Sequence, residues 1–219
     1  MPLTEEVQIL RYRVYRTLGQ FFFAGPTAET ISWLQELVES LDVEEGDDEE
    51  LRQGLSLLQK VLKTAGSETM KSWQLAFTSL FLGPGPSPAH LYESVYRSPT
   101  HLVMGDTTYE VREFYLEHGV EMKQLNSLPD DHLGAELEFM AYLIGQVLSA
   151  GRTKDAEKIN ALEAAQARFL AEHLLLWVPG LVEEVMKATA DDLIRGVTLF
   201  LDGFLRTEER TLSVIPQPS

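Results

Sequence analysis

Apolar residues recur at steps of three and four along almost the whole chain, and no stretch of useful length alternates apolar with polar. Steps of that size place side chains on one face of a helix, whereas a half-buried strand needs a period of two. The pattern restricts the chain to helices packed on helices. Val7, Leu10, Val14, Leu18 and Phe21 form a first stripe, closed by Gly25-Pro26. Thr27 is placed to cap a second helix with Ile31, Leu34, Leu37, Val38 and Leu41 on its inner face. Residues 42–50 are nearly all acidic and read as a solvated loop entering a helix, whose first turn favours carboxylates. Leu51, Leu55, Leu58, Val61 and Leu62 make a third stripe, broken at Gly66; Met70, Trp73, Phe77, Leu80 and Phe81 make a fourth from Ser67.

Prolines and glycines in Gly83-Pro84-Gly85-Pro86-Ser87-Pro88 exclude a helix interior and open an irregular connection to about residue 104. A loop of that length in a small domain is functional or disordered, and Tyr92 and Tyr96 favour a packed one. Asp106 can cap a helix ending at Gly119, and Pro129 suits the first position of a helix to Gly151. Helices over 154–176, 178–188 (after Pro179) and 191–210 complete the chain, and the tail 214–219 is expected to fray. The expectation is an all-α, single-domain orthogonal bundle of about nine helices over residues 1–219, with one long loop near 83–104.

Charge narrows the function. With 18 basic and 34 acidic residues the formal net charge is −16, the wrong sign for a nucleic-acid binder and the right one for cationic peptides. Cysteine is absent, which removes disulfides, Cys-ligated zinc and thiol catalysis. The N-terminus lacks a basic, apolar signal, and the most apolar stretch, 133–150, is interrupted by Glu136, Glu138 and Gln146. A cytoplasmic protein without membrane insertion is expected. No phosphate loop or nucleophile elbow occurs. The five histidines have no partner at helical spacing, so no metal or cofactor site is expected. The densest polar cluster, Asp130-Asp131-His132 after Pro129, reads either as a capped helix start or as an Asp-His dyad.

Two stretches add a resemblance. Leu80-Phe81-Leu82-Gly83-Pro84-Gly85-Pro86-Ser87-Pro88 with Tyr92-Glu93-Ser94-Val95-Tyr96, and Pro129-Asp130-Asp131-His132-Leu133-Gly134, resemble the motifs of the TorD/DmsD redox-enzyme maturation chaperones. These are related to the nitrate reductase delta-subunit assembly chaperones. His173-Leu174-Leu175-Leu176-Trp177 is a weaker third echo. The chain departs from the family pattern at Leu128 or Ser127, where a glutamate is usual, and at Leu176, where proline is usual. The resemblance implies a chaperone, not an enzyme. It would bind the twin-arginine leader, or the apoprotein, of a molybdopterin-containing oxidoreductase, as a monomer or homodimer. Some relatives bind guanine nucleotides; no motif for it stands here.

The expected site pairs carboxylates with an apolar wall. Asp131, then Asp130, would accept leader arginines in bidentate geometry, beside His132 and Pro129. Phe77, Leu80, Phe81 and Phe22 (or Phe23) would form the wall, with Gly83, Pro84, Ser94 and Tyr96 in the loop. Burying four such side chains against a peptide yields on the order of 6–12 kcal/mol before ordering costs. Asp131→Asn should then weaken leader binding, and protonation of His132 near its ordinary value of about 6.5 should oppose it. Two alternatives stand beside this reading: an assembly factor for a molybdoenzyme subunit that is not exported, and a helical metal-dependent hydrolase using Asp131 and His132.

Overall fold

The helices start and stop where local chemistry satisfies their free backbone groups. The computed structural model describes residues 3–42, 48–83, 87–121 and 128–213. Part of the acidic run, Pro84, Ser127 and the tail expected to fray fall outside them. Helix α1 (Glu5–Ala24) is capped by Thr4 and ends at Gly25, whose φ of 67° suits glycine. Helix α2 (Ala28–Glu39) opens with a reciprocal box: Thr30 N–H donates to Thr27 Oγ1 at 3.1 Å, and Thr27 N–H to Thr30 Oγ1 at 2.8 Å. Asp48 caps α3 (Glu49–Val61), and α4 (Ser67–Phe77) runs into a wide π turn at Thr78–Leu82. Then follow α5 (Glu93–Arg97), α6 (Asp106–Glu117), α7 (Leu133–Thr153), α8 (Ala156–Phe169), α9 (Leu175–Ala188) and α10 (Asp192–Ser213). Among the described residues there is no strand, only an isolated bridge between Tyr92 and His132. The fold is all-α, one body.

Packing runs α1 on α7, α7 on α8, and α10 on both α3 and α9. The α3–α10 pair is close because glycines stand at the contact. A Cβ added at Gly54 would sit 2.3 Å from the Phe200 backbone nitrogen, and one at Gly203 would sit 2.2 Å from that of Leu51. Leu18, Leu34, Leu137, Ile144, Trp177 and Leu201 lie in the continuous core.

Four expectations need correction. The loop after Gly83 contains a one-turn helix, α5, and carries Ala89 and Leu91 into the core. Pro179 does not separate two helices: it lies inside α9, which continues α8 through a π turn at Leu170–Leu174. That turn changes the hydrogen-bond register just ahead of the missing proline donor, so the rod widens instead of breaking. Pro129 is not the first residue of α7; the helix begins at Leu133, and His132 caps it by accepting from Gly134 N–H at 3.0 Å. Finally, α1 is turned away from its expected stripe. Val7 and Leu10 are exposed, whereas Gln8 and Arg11 are buried. Arg11 donates to both carboxylate oxygens of Glu208 and to Gln8 and Gln166, so its burial is compensated bond by bond.

Candidate functional site

The three motif-bearing stretches meet in space. The loop around α5, the turn Pro129–His132 and the rod through His173 and Trp177 converge beside the first turns of α7. Glu93 N–H donates to the Asp131 carbonyl at 3.0 Å, and Leu133 N–H to that of Leu91 at 2.8 Å. The residue ahead of α5, Tyr92, supplies no side-chain cap. The Asp131 carboxylate does so from across the fold, accepting Ser94 N–H at 2.8 Å.

Acids are unusually concentrated in this junction. Glu93, Asp131 and Glu136 are fully buried, and Asp130 is 2% exposed. Glu93 binds Arg97 and lies 3.0 Å from His173 Nδ1. Glu136 accepts from Trp177 Nε1 at 3.1 Å. Burial, and next the nearby charge of Glu93, hold the Glu136 carboxyl well above the ordinary carboxylate range. Asp130 accepts from Arg112 Nε at 2.9 Å and Nη2 at 2.6 Å, while its carbonyl accepts from Tyr115 Oη at 3.1 Å. His132 lies between Phe23 and Tyr92, with ring centroids 5.1 and 5.2 Å away. Burial lowers its pKa to about 4, not the ordinary value expected from sequence. Asp131 Oδ1, Ser94 Oγ and Glu136 Oε1 have no hydrogen-bond partner among the described residues.

The expected site residues therefore come together, but not as a surface. Asp130, Asp131, His132 and Ser94 are buried and turned toward the protein's own groups, so in this conformation neither acid is open to a foreign guanidinium. Tyr96 stacks on Trp177 at 5.4 Å and donates to Glu184 at 2.5 Å. Phe22, Phe77, Leu80 and Phe81 are 2–6% exposed and belong to the core. Edge-to-face contacts of Phe77 with Phe81 (4.9 Å) and Phe22 with Phe81 (6.5 Å) account for that burial. Gly83 and Pro129 are half-buried, and Pro84 is outside the described residues. Glu93, Glu136, Arg97, Arg112 and His173 were not singled out as site residues. Glu136 had a signal, a charge on the apolar face between Leu133 and Leu137; Arg112 had none.

The opening beside this junction is elsewhere. A cleft of about 570 Å³ lies between α6 and the α8–α9 rod, where Glu110, Glu113, Glu117 and Glu172 face Arg97 and Arg168. It shares Glu117, Arg168 and Ala171 with a second cleft of about 710 Å³, floored by Ala161, Ala164, Leu170, Leu175 and Leu212. His173 and Phe114 form the wall between the first cleft and the buried acids.

Residues 44–183 match the family model described as nitrate reductase delta subunit, well over half of the chain. The chain belongs to the nitrate reductase delta and TorD–DmsD chaperone family. It is 26% identical to the chaperone protein TorD of Vibrio cholerae, over 98% of this chain and 99% of that one. It is 28% identical to the Tat proofreading chaperone DmsD of Salmonella typhi, over 75% of this chain and 72% of that one. With the TorD of Aliivibrio fischeri it shares 26% identity over 72% of this chain and 73% of that one. Every member of the buried junction, from Glu93 to Trp177, falls inside the span that matches the nitrate reductase delta family.

Proposed function

We propose that this protein is a cytoplasmic maturation chaperone for a molybdopterin-containing oxidoreductase, binding the twin-arginine leader or the apoprotein before export. One observation carries the reading: nearly end-to-end likeness to a protein named as a chaperone, TorD of Vibrio cholerae, beside likeness to the Tat proofreading chaperone DmsD of Salmonella typhi. The chemistry of the junction supports it. Glu93, Asp130 and Asp131 are engaged by Arg97, Arg112 and backbone N–H groups, an arrangement that fixes a loop. In this reading Asp130, Asp131 and His132 act as a latch that frames a receptor surface, and the leader's arginines are met by acids outside the latch. A second reading, a chaperone for a subunit that stays in the cytoplasm, is favoured by the delta-subunit description of the matching family.

Calorimetric titration of the full chain tests both. The probes are the twin-arginine leader of a molybdopterin-containing oxidoreductase of the same organism, the same leader with its arginine pair replaced by glutamines, and the leaderless apoprotein. Binding that needs the arginines supports the first reading; binding to the leaderless apoprotein alone supports the second. Absence of binding to all three refutes both.

A further inference from the structure

We propose that the pocket where α1, α3 and α10 meet binds a small apolar amine. The site stands apart from the chaperone reading, because none of the three motif stretches lines it. The pocket has a volume of about 240 Å³. Val14, Leu55, Phe200 and Phe204 form its buried inner wall, and Val7 and Leu10 flank its mouth, 39% and 38% exposed. The turn of α1 that buries Gln8 and Arg11 is what brings these two aliphatic side chains there. A cavity of roughly 150 Å³ lined by aliphatic and aromatic side chains holds a benzene, so this one has room for a ring with a short chain.

The polar atoms of the lining select the head group. Arg11 is its cation, and that charge is matched by Glu208, which accepts from Nε and from Nη2, each at 2.7 Å. Gln8 and Gln166 accept further guanidinium N–H groups. Thr207 and Thr211 donate their hydroxyl hydrogens to the carbonyls of Gly203 at 2.9 Å and Thr207 at 2.8 Å. Thr211 Oγ1 is thereby left as an acceptor only. Asp42, exposed on the turn after α2, makes no ion pair with a described residue. The lining therefore offers an occupant acceptors and a carboxylate, with no unmatched cation. An anionic head meets Asp42 and Glu208 as like charges. A wholly apolar molecule fills the wall and leaves both acceptors unanswered. An ammonium has donors for Asp42 and Thr211 while its tail covers the wall. Because Asp42 is exposed, the ion pair sets selectivity and the apolar wall sets most of the affinity.

The test is NMR titration of the full chain with phenethylamine, phenethyl alcohol and hydrocinnamate, which share one apolar body and differ in the head. The Leu10, Leu55 and Thr211 amides should shift saturably with phenethylamine. The amine should bind about threefold tighter than the alcohol, the gain of one exposed ion pair, and hydrocinnamate should bind weakest. Asp42→Asn should bring amine and alcohol to equal affinity, and Leu10→Trp, which narrows the mouth, should weaken both. Both positions are exposed, so folding is kept, and circular dichroism verifies it. The proposal is overturned if no probe moves those amides, or if Leu10→Trp binds the probes as wild type does. Amine and alcohol binding equally to wild type, or hydrocinnamate binding tightest, overturns the ligand class. If wild type sediments as a dimer that Leu10→Trp splits, and no probe moves those amides, a second copy covers the pocket and the proposal falls. The chaperone reading is untouched by any of these outcomes.

Discussion

Removing the Asp131 carboxylate isolates the latch between the loop and α7. Asp131 is fully buried, and its Oδ2 is the acceptor for Ser94 N–H at 2.8 Å in a residue that is itself fully buried. Asp131→Ala leaves that donor without a partner, at a cost of about 1–3 kcal/mol. Part is returned, because the substitution also removes Asp131 Oδ1, a buried acceptor with no hydrogen-bond partner among the described residues. The net expectation is a loss of about 2 kcal/mol, or about 4–8 °C in Tm for a chain of this size. Asp131→Asn keeps an acceptor for Ser94 and removes the charge, so it should melt within about 2 °C of wild type. Thermal unfolding by far-UV circular dichroism, with amide exchange at Glu93 and Ser94, reads both variants. The reasoning fails if Asp131→Ala melts with wild type and Ser94 keeps its protection. It fails equally if the Asn and Ala variants lose the same amount, since charge and not the hydrogen bond would then be what matters.

Three further outcomes are expected. Glu136 has a folded pKa above its ordinary 4.5, so the stability its protonated form contributes is full below 4.5 and is lost as pH rises through the elevated value. Glu136→Gln keeps an acceptor for Trp177 and should flatten that alkaline loss in urea unfolding followed upward in pH from the ordinary carboxylate range; an unchanged slope would contradict it. His132 has the opposite sense: its pKa falls from 6.5 to about 4, so stability is full above 6.5 and lost as pH falls toward 4, by on the order of 3 kcal/mol. A titration of its ring by NMR with a midpoint near 6.5 would remove that burial effect. Gly203→Ala drives a Cβ to 2.2 Å from the Leu51 nitrogen, and separating α10 from α3 should cost about 3 kcal/mol; a wild-type midpoint in urea would show the contact is looser.

The helices were legible because apolar spacing and caps act locally. Thr27, Gly25 and Gly119 terminate elements where their chemistry predicts, and the face of α10 from Leu193 to Leu205 is buried as its pattern requires. What spacing does not reveal is which polar residues find partners from distant segments. Gln8 and Arg11 go inside because Glu208 and Gln166, far along the chain, satisfy them, and that displaces Val7 and Leu10 to the surface. The same blindness affected the site. Asp130 and Asp131 stand out in sequence as acids for a foreign arginine, yet Arg112 and the Ser94 amide already occupy them. The motif stretches do share one neighbourhood, but whether that neighbourhood is surface or interior depends on tertiary partners. The acids that do face solvent in the cleft, Glu110 and Glu113 on α6 and Glu172 on the rod, belong to none of those stretches apart from lying beside His173.

Comparing this protein's affinity for the apo and cofactor-loaded forms of the proposed client, a molybdopterin-containing oxidoreductase, distinguishes a maturation chaperone from an indifferent binder. A chaperone should hold the apo form and release the loaded one, with affinities differing by about tenfold or more. Equal affinity for the two forms would contradict a role in maturation.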